Sequence, residues 1–144
     1  MPPGASIARH VTGGLPVTLE IGLLLFPRLT QLDLTGPFEV LSRLPDARVR
    51  LLWKTPDPVR ADTGLGLLPD TLLADCPQLD VICVPGGPGV AAMMEDREVL
   101  DFLRRQAAGA RYVTSVCTGA LVLGAAGLLR GRRATTHWAS HDFL

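Results

Sequence analysis

The sequence has 144 residues, enough for one domain, and 47% of them are hydrophobic against 19% charged, so a sizeable core can form. Fourteen basic and fourteen acidic side chains cancel, which leaves no basic field to attract nucleic acid or a membrane surface. Three cysteines, Cys76, Cys83 and Cys117, show no CxxC spacing and cannot pair completely, which points to a reduced, cytoplasmic setting.

Residues 1–16 are rich in Gly and Pro and lack the apolar core of a signal peptide, so they read as a disordered arm before a domain over 17–144. Val17 to Phe26 is nearly continuous apolar sequence, as expected of a strand buried on both faces, and too short to span a bilayer. Asp33 to Leu44 predicts a helix with Pro37 in its first turn and Phe38, Leu41 and Leu44 on one face. Ala47 to Thr55 predicts a second strand. Val59 to Leu68, with Asp62-Thr63-Gly64 at its middle, predicts a small hairpin, and Leu72 to Asp75 one helical turn. Asp80 to Val84 is a third core strand, in which Cys83 is a packing residue.

Pro85-Gly86-Gly87-Pro88-Gly89 must form a tight loop. Val90 to Ala108 is helical, with a restart near Asp96 and an apolar face of Val99, Leu100, Leu103 and Ala107. Arg111 to Val116 predicts a fourth strand and Thr118 to Leu129 a helix of small residues that packs closely on the sheet. Arg133 to Thr136 reads as a fifth strand and Trp138 to Leu144 as the start of another helix. This alternation argues for an α/β fold with a parallel sheet covered by helices on both faces. Ligands in such folds bind at the carboxyl ends of the strands. Asp33, Gly86, Gly87, Cys117 and His137 all fall there.

Ser115-Val116-Cys117-Thr118-Gly119 has the layout of a nucleophile elbow, in which the nucleophile sits on a strained strand-to-helix turn and its neighbours must be small. The amino end of the following helix favours a thiolate. The plainer alternative is a small buried hydrophobe, as many cysteines are. Asp33, between leucines, is either a helix cap or a carboxyl that holds a proton beside Cys117. Gly86 and Gly87 form either a simple turn or a pair of N–H groups that meet developing negative charge. His137 can serve as a base for Cys117 or join His141 at i, i+4 on a metal, although no third ligand stands nearby. Arg130, Arg132 and Arg133 read as solvated surface, and the Met93-Met94 pair as core.

The elbow at Cys117, the Pro85-Gly86-Gly87 loop and Ala134-Thr135-Thr136-His137-Trp138 resemble the ThiJ/PfpI superfamily, relatives of the class I glutamine amidotransferases, from about Val17 to Leu144. Within it, Gln31-Leu32-Asp33-Leu34-Thr35-Gly36-Pro37 and Thr114-Ser115-Val116-Cys117-Thr118-Gly119 look like the isonitrile hydratases; many other members carry glutamate where Asp33 stands. The resemblance implies a flavodoxin-like three-layer sandwich and a homodimeric enzyme, without cofactor or metal, that hydrates a small-molecule isonitrile to an N-substituted formamide. It implies Cys117 as nucleophile, Asp33 as general acid/base, Thr118 as a neighbour shaping the site, and Gly86, Gly87 and His137 around the substrate. The superfamily's chains continue past the position of Leu144, so the domain is expected to be incomplete at that end. The alternative carried by similar motifs is the amidase-like sensor domain of an AraC-type transcription regulator.

Overall fold

The computed structural model describes residues 18–144. The expected arm, residues 1–16, lies outside the described residues. Strand β1 (Leu19–Leu24) is central, paired in parallel with β2 (Ala47–Trp53) on one side and β6 (Val81–Val84) on the other. Its run of apolar residues is buried because both faces are covered; Ile21 and Leu23 are 0% exposed. At Gly22 a methyl group would stand 2.5 Å from Leu79 and 2.7 Å from Leu52, so the glycine is what lets those two leucines close over the strand.

The sheet has five parallel strands in the order β5-β2-β1-β6-β7, where β5 is Thr71–Leu72 and β7 is Tyr112–Ser115. The short strands β3 (Val59–Arg60) and β4 (Gly66–Leu67) form the expected antiparallel hairpin. Helix α1 (Gln31–Leu41) crosses from β1 to β2; α2 (Val90–Glu95) and α3 (Arg97–Ala107) cross from β6 to β7, in the opposite direction along the sheet. Right-handed crossovers running in opposite directions put those helices on opposite faces. Helix α4 (Gly119–Ala125) packs beside α2 and α3. The result is the expected flavodoxin-like three-layer architecture. The strand order reverses between β1 and β6, so a crevice opens at the carboxyl ends of those strands.

Several elements depart from expectation. Helix α1 starts at Gln31, two residues early, because Thr30 N–H donates to the Gly86 carbonyl at 2.9 Å and fixes where the chain turns in. Pro37 therefore sits inside the helix, where its missing N–H leaves the Asp33 carbonyl without a helical donor. Leu34 is the buried residue of α1, Phe38 and Leu41 pack against the core, and Leu44 is 42% exposed. The restart expected near Asp96 is there: α2 ends at Glu95, and Asp96 caps α3 by accepting the Val99 N–H at 3.2 Å. On α3, Val99, Leu100, Phe102 and Leu103 are buried, with Gln106 as the buried polar residue. Gln106 is fully engaged, accepting from Leu79 N–H and donating to the Pro77 carbonyl, each at 2.9 Å, which ties α3 to the entry of β6.

Helix α4 is shorter than the apolar run predicts. Gly127 adopts φ 80°, and the Leu128 and Gly127 N–H groups return to the carbonyls of Leu123 and Gly124. This is a Schellman stop, with Leu128 beyond it. Arg133 to Thr136 is not a strand; it carries no apolar face to bury, and it passes the end of β7 rather than lying along its edge. The segment Trp138–Phe143 is a 3₁₀ turn rather than an α-helix, with Trp138 78% and Phe143 74% exposed and so no buried face to hold an α-helical period.

Candidate active site

Three loops meet at the crevice: Phe26–Thr30 after β1, Pro85–Gly89 after β6, and the turn after β7. The first two are stitched together by backbone bonds, Thr30 N–H to Gly86 O at 2.9 Å and Gly89 N–H to Arg28 O at 3.1 Å. Gly87, at φ 127°, lies so close to the first loop that a Cβ would stand 2.4 Å from Thr30 N; only glycine fits.

Cys117 has φ 53°. A left-handed conformation costs a residue other than glycine about 1–2 kcal/mol, so surrounding contacts must hold it. It is the strained corner that the small-x-Nu-x-small pattern demands. Gly119 explains the pattern's last position: a Cβ there would come within 2.1 Å of the Val84 carbonyl oxygen. The helix can start only by pressing its backbone onto the end of β6.

Thr118, next to the thiol, accepts a hydrogen bond from Gly87 N–H on its Oγ1 at 3.0 Å. Asp33 Oδ2 accepts from Gly86 N–H at 3.2 Å. The Asp33 side chain is thus turned away from capping α1, whose N-cap position is Thr30. A Cβ built on Gly86 would meet Thr118 N at 2.7 Å, Thr118 Oγ1 at 2.8 Å and Asp33 Oδ2 at 2.9 Å, so the carboxylate and the residue after Cys117 border the same point. Both loop N–H groups are already engaged by side chains. In this arrangement Gly86 and Gly87 position Asp33 and Thr118 rather than standing free for an oxyanion.

Two of the three thiols are perturbed by burial. Burial pushes Cys76 up to about 11, with Arg50 opposing weakly. Burial also raises Cys83, a hydrogen bond with Thr114 opposes it, and the Asp33 charge adds to the rise. Cys83 is 5% exposed within β6 and belongs to the core, as expected. Both thiols stay protonated at neutral pH. Cys117 is only half-buried, at the crevice.

His137 does not pair with Cys117. It is exposed, its Nδ1 accepts the Ala139 N–H at 3.2 Å, and its ring lies 5.4 Å from that of Trp138. Its neighbour makes the contact instead: Thr136 Oγ1 donates to the Cys117 carbonyl at 3.0 Å. Thr136 lies within the Ala134–Trp138 motif, where the imidazole was the more conspicuous side chain. His141 Nε2 is 3.3 Å from Thr135 Oγ1, and among the described residues no group of three or more His, Cys, Asp or Glu side chains is placed to hold a metal.

Residues 20–144 match the DJ-1/PfpI family. The chain belongs to that family. It is 66% identical over 128 residues to an isonitrile hydratase of Pseudomonas putida, a match that covers 89% of this chain and 56% of the hydratase. It is 35% identical to the HTH-type transcriptional regulator GbdR of Pseudomonas aeruginosa, covering 83% of this chain and 34% of the regulator. A ThiJ/PfpI family protein from Pseudomonas syringae superposes with a TM-score of 0.84 at 37% identity, over 95% of this chain and 61% of that one. The chain thus spans little more than half the length of the hydratase it matches.

Proposed function

We propose that this DJ-1/PfpI chain carries the catalytic elbow of an isonitrile hydratase, which adds water to an isonitrile to give an N-substituted formamide. The observation that carries the proposal is the 66% identity to a hydratase together with an intact elbow: Cys117 held at φ 53°, and Asp33 and Thr118 each anchored to an adjacent loop N–H. The sensor-domain alternative rests on a much lower identity, 35%.

The chemistry balances with these residues. The Cys117 thiolate attacks the terminal isonitrile carbon, and protonated Asp33 gives its proton to that carbon, forming a thioimidate, R–N=CH–S–Cys117. Asp33, now a carboxylate, takes a proton from water as the hydroxyl adds to the same carbon, and passes that proton to nitrogen. It then removes the hydroxyl proton as the C–S bond breaks. R–NH–CHO leaves, and the thiolate and the protonated carboxyl are restored. Thr118, fixed by Gly87 N–H, lines the approach to the reacting carbon. No cofactor enters these steps.

Two further parts belong to the proposal. The protein acts as a homodimer: Leu32 and Val40, 66% and 68% exposed, flank Gly36 along one side of α1, where nothing stands within 4 Å of a Cβ built on Gly36. It works in the cytoplasm, in keeping with its free cysteines and with the absence, among the described residues, of any helix long and apolar enough to cross a membrane.

The test is turnover of a simple alkyl isonitrile by the intact protein, with the formamide detected directly by its formyl proton resonance. Cys117→Ser abolishes formamide production, and Asp33→Asn removes nearly all of it. Unchanged turnover in Cys117→Ser would remove the mechanism.

A further inference from the structure

We infer that Thr136 is a positioning residue for the Cys117 nucleophile: its hydroxyl clamps the carbonyl of the strained elbow and so sets where the thiol points. Cys117 sits in the left-handed region at φ 53° without the freedom of glycine. A strained residue keeps such a conformation only when its neighbours over-determine it. Three sets of contacts surround this one. On the amino side, Val116 N–H bonds the Val84 carbonyl at 2.9 Å and continues the β6–β7 ladder. On the carboxyl side, Thr118 is tied to Gly87 and Gly119 lies flat on Val84. The Cys117 peptide carbonyl itself is met by Thr136 Oγ1 at 3.0 Å, from 19 residues further along the chain.

That bond has a directional consequence. Rotation about the Cys117 backbone out of the left-handed well swings its carbonyl and its Cβ together, because both are attached to the same α-carbon. A donor fixed on the carbonyl therefore restrains the thiol as well. Thr136 is half-buried, whereas Arg133, Ala134, Thr135 and His137 around it are exposed, and its hydroxyl provides the tie between this segment and the elbow. Elbow and clamp come from separate parts of the sequence, so a substitution at Thr136 can change the nucleophile without touching it.

The proposal rests on Cys117 being the reactive thiol, and its test reads the thiol first and turnover second. Wild type, Thr136→Val and Thr136→Ser are treated with iodoacetamide from pH 5 to 9, and the alkylation rate at Cys117 is followed by mass spectrometry of its peptide. Cys76 and Cys83, whose thiols are raised by burial, serve as slow internal references. Valine keeps the shape and removes the donor; serine keeps the donor. Thr136→Val is expected to lower the limiting alkylation rate at Cys117 by about five- to tenfold, in line with the loss of one hydrogen bond, while Thr136→Ser stays close to wild type. In the isonitrile assay the same valine variant loses kcat by a similar factor with KM little changed, and serine restores it.

Equal Cys117 alkylation profiles in wild type and Thr136→Val would overturn the assignment. So would a serine variant as impaired as the valine one, since that pattern reports packing rather than a donor. If the wild-type protein alkylates normally but leaves isonitrile untouched, the hydratase proposal falls while the alkylation series still decides the role of Thr136.

Discussion

Replacing Gly86 by alanine tests the site more selectively than removing either reacting group. Gly86 is not among the glycines at positive φ, so its backbone tolerates alanine. The added methyl group has no room. It would stand 2.7 Å from Thr118 N, 2.8 Å from Thr118 Oγ1 and 2.9 Å from Asp33 Oδ2, where ordinary contact begins near 3.4 Å. Each neighbour must retreat by about half an ångström or more, and the carboxylate and the threonine move apart in different directions. Of the bonds that hold them, Asp33 to Gly86 N–H at 3.2 Å is already at the long end of the normal range and Thr118 to Gly87 N–H at 3.0 Å is of ordinary length; neither survives a shift of this size intact. Overpacking of this size costs about 1–3 kcal/mol of stability, and displacement of a proton-transfer group by a sizeable fraction of an ångström costs about 10²-fold in rate. The assay is formamide production at saturating isonitrile, with a thermal melt in parallel to show that the variant is folded at the assay temperature. A folded Gly86→Ala protein with wild-type turnover would refute the claim that the loop positions Asp33 and Thr118.

Other outcomes follow from the same contacts. Gly119→Ala sets a methyl group 2.1 Å from a backbone carbonyl that cannot rotate away; the start of α4 must lift, and a loss of more than about 2 kcal/mol in urea denaturation is expected. Asp96 is pushed up by burial, but its hydrogen bond with Lys54, the Val99 N–H and the Lys54 charge outweigh that, so its folded pKa lies below 3.8. A depressed carboxyl stabilises the fold above its unfolded pKa, and this contribution disappears as pH falls through the folded value. Asp96→Ala therefore loses about 1–2 kcal/mol at pH 7, and the gap to wild type closes as pH falls through and below the ordinary carboxylate range; a gap constant with pH would exclude the ion pair and cap as its source. Val40→Glu, on the open side of α1, halves the mass seen by light scattering if that side joins two copies; an unchanged dimer would move the interface elsewhere.

The central strands were legible because burial on both faces writes an unbroken apolar run, as in Ile21–Phe26, and the elbow because sterics at one corner exclude all but small residues. Asp96 was legible as a helix restart from its capping chemistry. Strand β5 was not, since two residues, Thr71 and Leu72, show no period. Arg133–Thr136 misled through its threonines, which suit a strand in propensity, but the segment pairs with no strand among the described residues. Gly127 was a readable helix stop, masked by Leu128 and Leu129 continuing the apolar run past it.

The site is a harder case for a different reason. Asp33 and the Gly86 N–H are 53 residues apart, and Thr136 and the Cys117 carbonyl 19, so neither bond leaves a local pattern. Residue chemistry left His137 open as a base for Cys117 or as a metal ligand beside His141. In the structure it is the neighbouring Thr136 that reaches the elbow, through the Cys117 carbonyl. The same logic accounts for the glycine loop. Two N–H groups free in water would make an anion site; two N–H groups already bonded to Asp33 and Thr118 instead hold those two side chains in register at the crevice. The proposed hydration, which needs a carboxyl to deliver a proton to the isonitrile carbon, gains from an Asp33 side chain held still beside the crevice.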